Sequence, residues 1–219
     1  EPGTAVFAAS SRTRKDKTGI AEKVIESGTD VIFCGGETLL LPRGETGFFG
    51  AEGERTDGRN LIEEAQESGY TVVQTREELL ALPSDTPKVL GIFAARHTFH
   101  AKPEEKLAEQ GLPLYEPEAP SLAEMTAVAL RILSSDPEKD FFLVSEEEGT
   151  DNFSNTNNAA GMLEATARAD AAIGEAVAFM DEHPKRPILL LVASDSDAGH
   201  PTILPPRDVD EKITLPHTS

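Results

Sequence analysis

A chain of 219 residues is long enough to bury a sizeable core and sets the expectation of one domain, or one and a half. Hydrophobic residues make up 38% and aromatics 5%, with no Trp, the ordinary composition of an α/β protein with a core of Val, Ile, Leu and Ala. With 20 basic against 39 acidic residues the formal charge is −19; this argues against nucleic acid and anionic lipid as partners, and any phosphate site needs strong local positive charge, for which bound divalent metals are the obvious source.

In chain order, the opening Glu1-Pro2-Gly3 is neither basic nor apolar, so no signal peptide is read there. A helix is expected over Thr18–Ser27, then a buried strand Val31-Ile32-Phe33-Cys34 ended by Gly35-Gly36. Cys34 is the sole cysteine, which excludes an intrachain disulfide and a Cys-based zinc cluster. The Gly-rich stretch 41–59 reads as loop. A helix over Asn60–Ser68 stops at Gly69, and Thr71-Val72-Val73 is the second strand. Arg76–Ala81 is a short amphipathic helix and Val89–Phe93 the third strand. The segment 97–121, with four prolines, reads as loop. Ser121 with Glu124 three residues on is a capping box that starts a helix to Leu133. Phe141–Val144 and Ile188–Val192 are expected as the fourth and fifth strands. Between them a long helix runs from about Ala159 to Glu182, with an inner stripe of Leu163, Thr166, Ala169 or Asp170, Ile173, Val177 and Met180, and Pro184 ends it. Continuous apolar strands alternating with helices predict an α/β fold, a mostly parallel doubly wound sheet flanked by helices. It is expected over residues 1–200, with an irregular tail at 201–219. The longest apolar run, Ile188–Ala193, is too short to span a membrane.

Two acidic clusters follow the last two expected strands: Ser145-Glu146-Glu147-Glu148-Gly149-Thr150-Asp151 and Ser194-Asp195-Ser196-Asp197-Ala198-Gly199-His200. Ligands of open parallel sheets bind at the carboxyl ends of strands. Carboxylates crowded there repel one another unless a cation neutralises them, so a hard metal is the natural occupant; the alternative is a pair of solvated acidic loops.

Phe141-Phe142-Leu143-Val144, Glu146, Asp151 and Asn155-Thr156-Asn157-Asn158 resemble the alkaline phosphatase family, whose strand of type F-F-L-x-V is followed by E-G-x-x-x-D-x-x-x-H-x-N-[ND] and a long helix. Leu191-Val192-Ala193-Ser194-Asp195-Ser196-Asp197-Ala198-Gly199 is similar to the family's V-x-T-A-D-H-x-x-G-G. Upstream, Asp30–Gly36, Leu90–Ala94 with His97, and Pro120-Ser121-Leu122-Ala123-Glu124-Met125-Thr126 match further family segments in the family's order. The resemblance implies a metal-dependent phosphomonoesterase. Glu146 falls on the magnesium ligand, Asp151 on a ligand of one zinc and Asp195 on a ligand of the second. Asn155 and Ser196 stand where the family has His, which weakens zinc and favours oxygen-loving ions such as Mg2+, Mn2+ or Ca2+. A rival register puts Glu148 on the family's Glu and leaves Phe153 on its Asp.

His97 and His200 are candidate pocket residues. The family's Asp-Ser nucleophile has no counterpart before Ile20, so the attacking Ser is expected N-terminal to these residues; Ser196 is a weaker candidate. The resemblance further implies a small phosphate-ester substrate, a periplasmic or extracellular location and room for a homodimer. A phosphodiesterase or sulfatase of the same superfamily, or a non-catalytic acidic cation-binding fragment, remain the alternative readings.

Overall fold

Strand β3 (Val89–Ile92) is apolar at every position but its glycine, and all four residues are buried. A strand hidden on both faces needs a neighbour at each edge and a helical layer above and below. In the computed structural model, which describes residues 3–194, β3 is the middle of a three-stranded parallel sheet. It pairs with β1 (Val31–Cys34) in the register Val31–Val89 to Cys34–Ile92, and with β2 (Thr71–Val73) in the register Thr71–Val89 to Val73–Gly91. The sheet order is β1-β3-β2.

Side chains of successive strand residues point to opposite faces, and the two cores follow that alternation. Leu90 and Ile92 pack with Ile25 of α1 (Lys17–Glu26) and Leu61 and Ala65 of α2 (Leu61–Glu67). Val89 and Phe93 pack on the other face with Leu79 of α3 (Arg76–Ala81) and Val128 and Ile132 of α5 (Leu122–Leu133). The helix starts follow from capping chemistry. Asp16 accepts from Gly19 N at 3.2 Å, and Asn60 from Ile62 N at 3.1 Å. Thr75–Glu78 and Ser121–Glu124 each close a capping box. After β1 the chain turns at Gly36, whose φ of 93° is open to glycine at no steric cost.

The stretch 41–59 is loop, as expected, and two buried charges organise it. Glu37 accepts from Phe48 N at 2.9 Å, Phe49 N at 3.1 Å and Gln74 Nε2 at 2.9 Å. The Arg55 guanidinium is paired with Asp57 and Glu22 and donates to Thr18 O at 3.0 Å, tying the loop to α1.

Four expectations are corrected. The segment 97–121 contains a helix, α4 (Glu104–Gln110), which starts at Pro103 and ends at a left-handed Gly111. The acidic stretch contains α6 (Gly149–Asn155). Phe141–Val144 and Ile188–Val192 are extended but belong to no ladder; Phe142, Leu189 and Leu191 are 74, 80 and 79% exposed. Their apolar character records β propensity, but among the described residues no strand edge lies alongside to pair with them. The inner stripe of α7 (Ala159–Glu182) is also displaced. Gly161, Ala165, Ala172 and Phe179 are its buried residues, whereas Leu163 and Val177 are exposed. Small residues win that face because α7 lies close against α5 and α6: a Cβ on Gly161 would stand 2.4 Å from the Phe153 ring.

Candidate functional site

The segment 141–148 runs from the end of α5 to α6 and is held by aromatic and polar contacts in place of a ladder. Phe141 packs on Phe179 at 6.1 Å between ring centroids, with the Arg186 guanidinium 5.0 Å from its ring, and Phe142 packs on Phe7 at 5.4 Å. Ser145 Oγ hydrogen-bonds Thr126 Oγ1 of α5 at 2.9 Å. Three consecutive glutamates then take three different environments.

Glu146 accepts from the backbone N of Thr4 at 2.8 Å. Glu147 turns inward and accepts from Tyr115 Oη at 2.9 Å and Gly149 N at 3.1 Å. Burial raises the Glu147 pKa against the lowering effect of those two donors. Burial, then the adjoining Glu147 charge, raises the Tyr115 phenol, and the Arg168 guanidinium lies 3.8 Å from the Tyr115 ring. Glu148 accepts from Asn152 Nδ2 at 2.9 Å. Its carboxyl is pushed up to about 7, by burial first and also by the neighbouring Glu146. Two carboxylates that adjoin closely enough for one to hold a proton near neutral pH form an oxygen-rich, electron-rich donor pair.

Helix α6 divides its residues by face. Phe153 is fully buried against Phe99, Tyr115 and Ala165. Asp151 and Asn155, four apart, share the more exposed side, and Asn155 Nδ2 donates to Asp151 Oδ2 at 3.0 Å. The rival register would make a core residue, Phe153, stand in for a metal ligand. Asn157 takes a left-handed φ of 55°, and buried Asn158 caps α7, accepting from Gly161 N at 2.7 Å and donating to Lys102 O at 2.8 Å.

Glu146, Glu147 and Glu148 line an open groove of about 1260 Å³. Val31 and Phe33 of β1, Ile20 of α1 and Met125 of α5 also line it. His97 lies at this groove, exposed, with its ring 5.3 Å from Phe99. Burial pushes the Cys34 thiol up to about 11, which makes it a poor nucleophile at neutral pH.

Of the residues expected as ligands, the structure brings Asp151 and Asn155 together and sets Glu146 beside Glu148 and Thr4. Among the described residues no three His, Cys, Asp or Glu side chains converge as a metal cluster. Asp195, Ser196 and His200 lie outside the described residues. Sequence reasoning missed Tyr115 and Arg168, which support the glutamate run from elements distant in sequence; no local spacing signals such a contact. It named Glu147 only as part of a run, with no sign that it alone would turn into the core.

Similarity to known proteins agrees with this architecture. The alkaline phosphatase family profile matches residues 4–204. The membrane-bound alkaline phosphatase of Bombyx mori is 35% identical over 173 residues, covering 75% of this chain and 29% of that protein. Streptomycin-6-phosphate phosphatase of Streptomyces griseus is 28% identical over 91% of this chain and 45% of its own length. The crystal structure of Thermus thermophilus alkaline phosphatase superposes with a TM-score of 0.65 at 31% identity, covering 82% of this chain and 34% of that one. The chain spans less than half the length of each of these relatives. With a family profile matched along nearly its whole length, this chain belongs to the alkaline phosphatase family.

Proposed function

We propose that these residues form the cation-binding part of a metal-dependent phosphomonoesterase acting on small phosphate esters. The observation that carries the reading is α6: Phe153 is consumed by the core, which supports the register that assigns Glu146 and Asp151 to the family's ligand positions. The donor set fits a hard divalent cation, since it offers carboxylate oxygens and, at Asn155, an amide oxygen in place of imidazole. By the family's ligand positions Glu146 would hold one such cation, Asp151 with Asn155 a second, and Asp195 with Ser196 a third, side by side in one pocket. Bound divalent ions supply positive charge that offsets the phosphoryl oxygens and the attacking and leaving oxygens.

The chain's own residues do the positioning. Glu147, clamped by Tyr115 and Gly149, fixes the backbone that presents Glu146 and Glu148 to the groove. Asn155 holds the Asp151 carboxylate in one orientation. His97, which lines the groove, would meet the phosphate ester on this reading. On this reading the attacking Ser lies outside these 219 residues and the whole enzyme works in the periplasm or outside the cell. The resemblance to a streptomycin-6-phosphate phosphatase supports a small phosphomonoester as substrate.

Equilibrium dialysis of the 219-residue chain against Mg2+, Mn2+ and Zn2+ tests the cation site. At least one divalent ion per chain is expected, with Glu146→Ala or Asp151→Ala weakening it by about tenfold or more. A chain that takes up no divalent ion would remove the basis for the reading. No turnover of p-nitrophenyl phosphate is expected from the chain alone, and turnover would show that the nucleophile lies within it.

A further inference from the structure

Arg168 connects α7 to the glutamate run. Its Nε donates to Glu164 Oε1 at 2.9 Å, one turn back on the same helix, so the guanidinium is held in one direction. That flat group lies 3.8 Å from the centre of the Tyr115 ring. Phe99 and Phe153 pack on the same ring, at 6.0 and 5.8 Å between centroids. A phenol held between a cation and two other rings has little freedom, and its hydroxyl is delivered to a fixed point.

That point is Glu147. Its Oε1 accepts from Tyr115 Oη at 2.9 Å and from Gly149 N at 3.1 Å. The fit is close, because a Cβ on residue 149 would stand 2.5 Å from Tyr115 Oη and 2.7 Å from Glu147 Oε1. Joining the side chain of residue 147 to the backbone of residue 149 closes a small ring around Glu148. Glu146 and Glu148, which line the groove, thus project from a backbone fixed by Tyr115.

Hard cations differ in how much such rigidity matters. An ion of the size of Mg2+ demands near-octahedral oxygens at about 2.1 Å, whereas Ca2+ accepts irregular shells at about 2.3–2.6 Å. Carboxylates on a fixed backbone meet the stricter demand; carboxylates on a loose one can still wrap the larger ion.

We propose that Tyr115 and Arg168 are positioning residues that hold the run Glu146 to Glu148 rigid and thereby favour a small octahedral ion, Mg2+ or Mn2+, over Ca2+ at Glu146. Both act through Glu147. The inference rests on the reading of Glu146 as a cation ligand.

Two measurements on the 219-residue chain test it. The first needs no cation. In EDTA, the Gly149 amide should exchange at least about tenfold faster in Tyr115→Phe than in the wild type, and about threefold faster in Arg168→Gln. The second is the ratio of Mn2+ to Ca2+ affinity by equilibrium dialysis, read at the site that Glu146→Ala weakens. Tyr115→Phe keeps the ring and loses only the hydroxyl; it should weaken Mn2+ by about tenfold and Ca2+ by no more than about twofold. Arg168→Gln should move the ratio the same way, by about threefold. Leu107→Ala, a truncation of the buried residue of α4, should lower the melting temperature and leave the ratio at its wild-type value, which separates positioning from a plain loss of stability. Unchanged Gly149 exchange in Tyr115→Phe would overturn the proposal, and so would Mn2+ and Ca2+ affinities that fall together. A wild-type chain that binds neither ion, with Gly149 exchange still faster in Tyr115→Phe, would overturn the cation reading of Glu146 and the selectivity with it, and leave the clamp standing.

Discussion

Single residues set the register on which the functional reading rests. Phe153 and Gly161 are matched, because the ring occupies the space a Cβ on Gly161 would need. Gly→Ala inside a helix ordinarily stabilises by up to about 1 kcal/mol. Here the clash should outweigh that gain, so Gly161→Ala is expected to destabilise by about 1–2 kcal/mol in urea unfolding. A more stable variant would show that α6 and α7 are not packed through this pair. Arg55 is 2% exposed and donates to Thr18 O and Leu39 O as well as to Asp57. Arg55→Met should cost about 3 kcal/mol, because two part-buried carbonyls lose their donor and two carboxylates their ion pair. Neither residue was singled out by the sequence, since a lone Arg in a Gly-rich loop and a lone Gly early in a helix carry no periodic signal.

At the scale of elements, legibility followed how local each element's cause is. Ser121 and Glu124 announce α5 from three residues' spacing, and the capping box is there. Ser121→Ala should therefore cost about 1 kcal/mol. The helix α4 was missed because Pro103 and Pro113 bracket it; proline at the N-cap starts it, a use that composition alone does not separate from loop. The unpaired segments 141–144 and 188–192 were over-read because strand character depends on a neighbour, which no local sequence contains.

Ion pairs between elements give a pH dependence. Hydrogen bonds from Arg55 lower the pKa of Asp57, those from Arg59 lower Glu64, and those from Arg76 lower Glu124. A carboxylate whose folded pKa is depressed stabilises above its unfolded value, 3.8 for Asp and 4.5 for Glu, and loses that contribution as pH falls through the lower folded value. Glu64→Gln should reduce the urea midpoint at pH 7 and reduce it less as the pH falls below 4.5. An equal loss above and below that pH would show that the Arg59 pairing is not the cause.

Across the whole molecule, the alternating order of helices and apolar strands was sufficient to predict an α/β layer with a parallel sheet, and β1-β3-β2 with helices on both faces is that layer. The acidic runs were visible as clusters, but the hydrogen-bond partners of the individual glutamates were not. Glu147 and Glu146 are held by Tyr115, Gly149 and Thr4, two of them far away in sequence.

The central claim is that Glu146, Asp151 and Asp195 supply one cation-binding pocket. A mutant cycle on Mn2+ affinity tests it most directly, using Glu146→Ala, Asp195→Ala and the double variant in the 219-residue chain. Each single variant should weaken binding by about tenfold or more, and the double variant should fall well short of the product of the two losses, because adjoining ions in one pocket depend on one another. Losses that simply multiply, or single variants that bind as well as the wild type, would mean that the two acidic clusters serve separate sites or none.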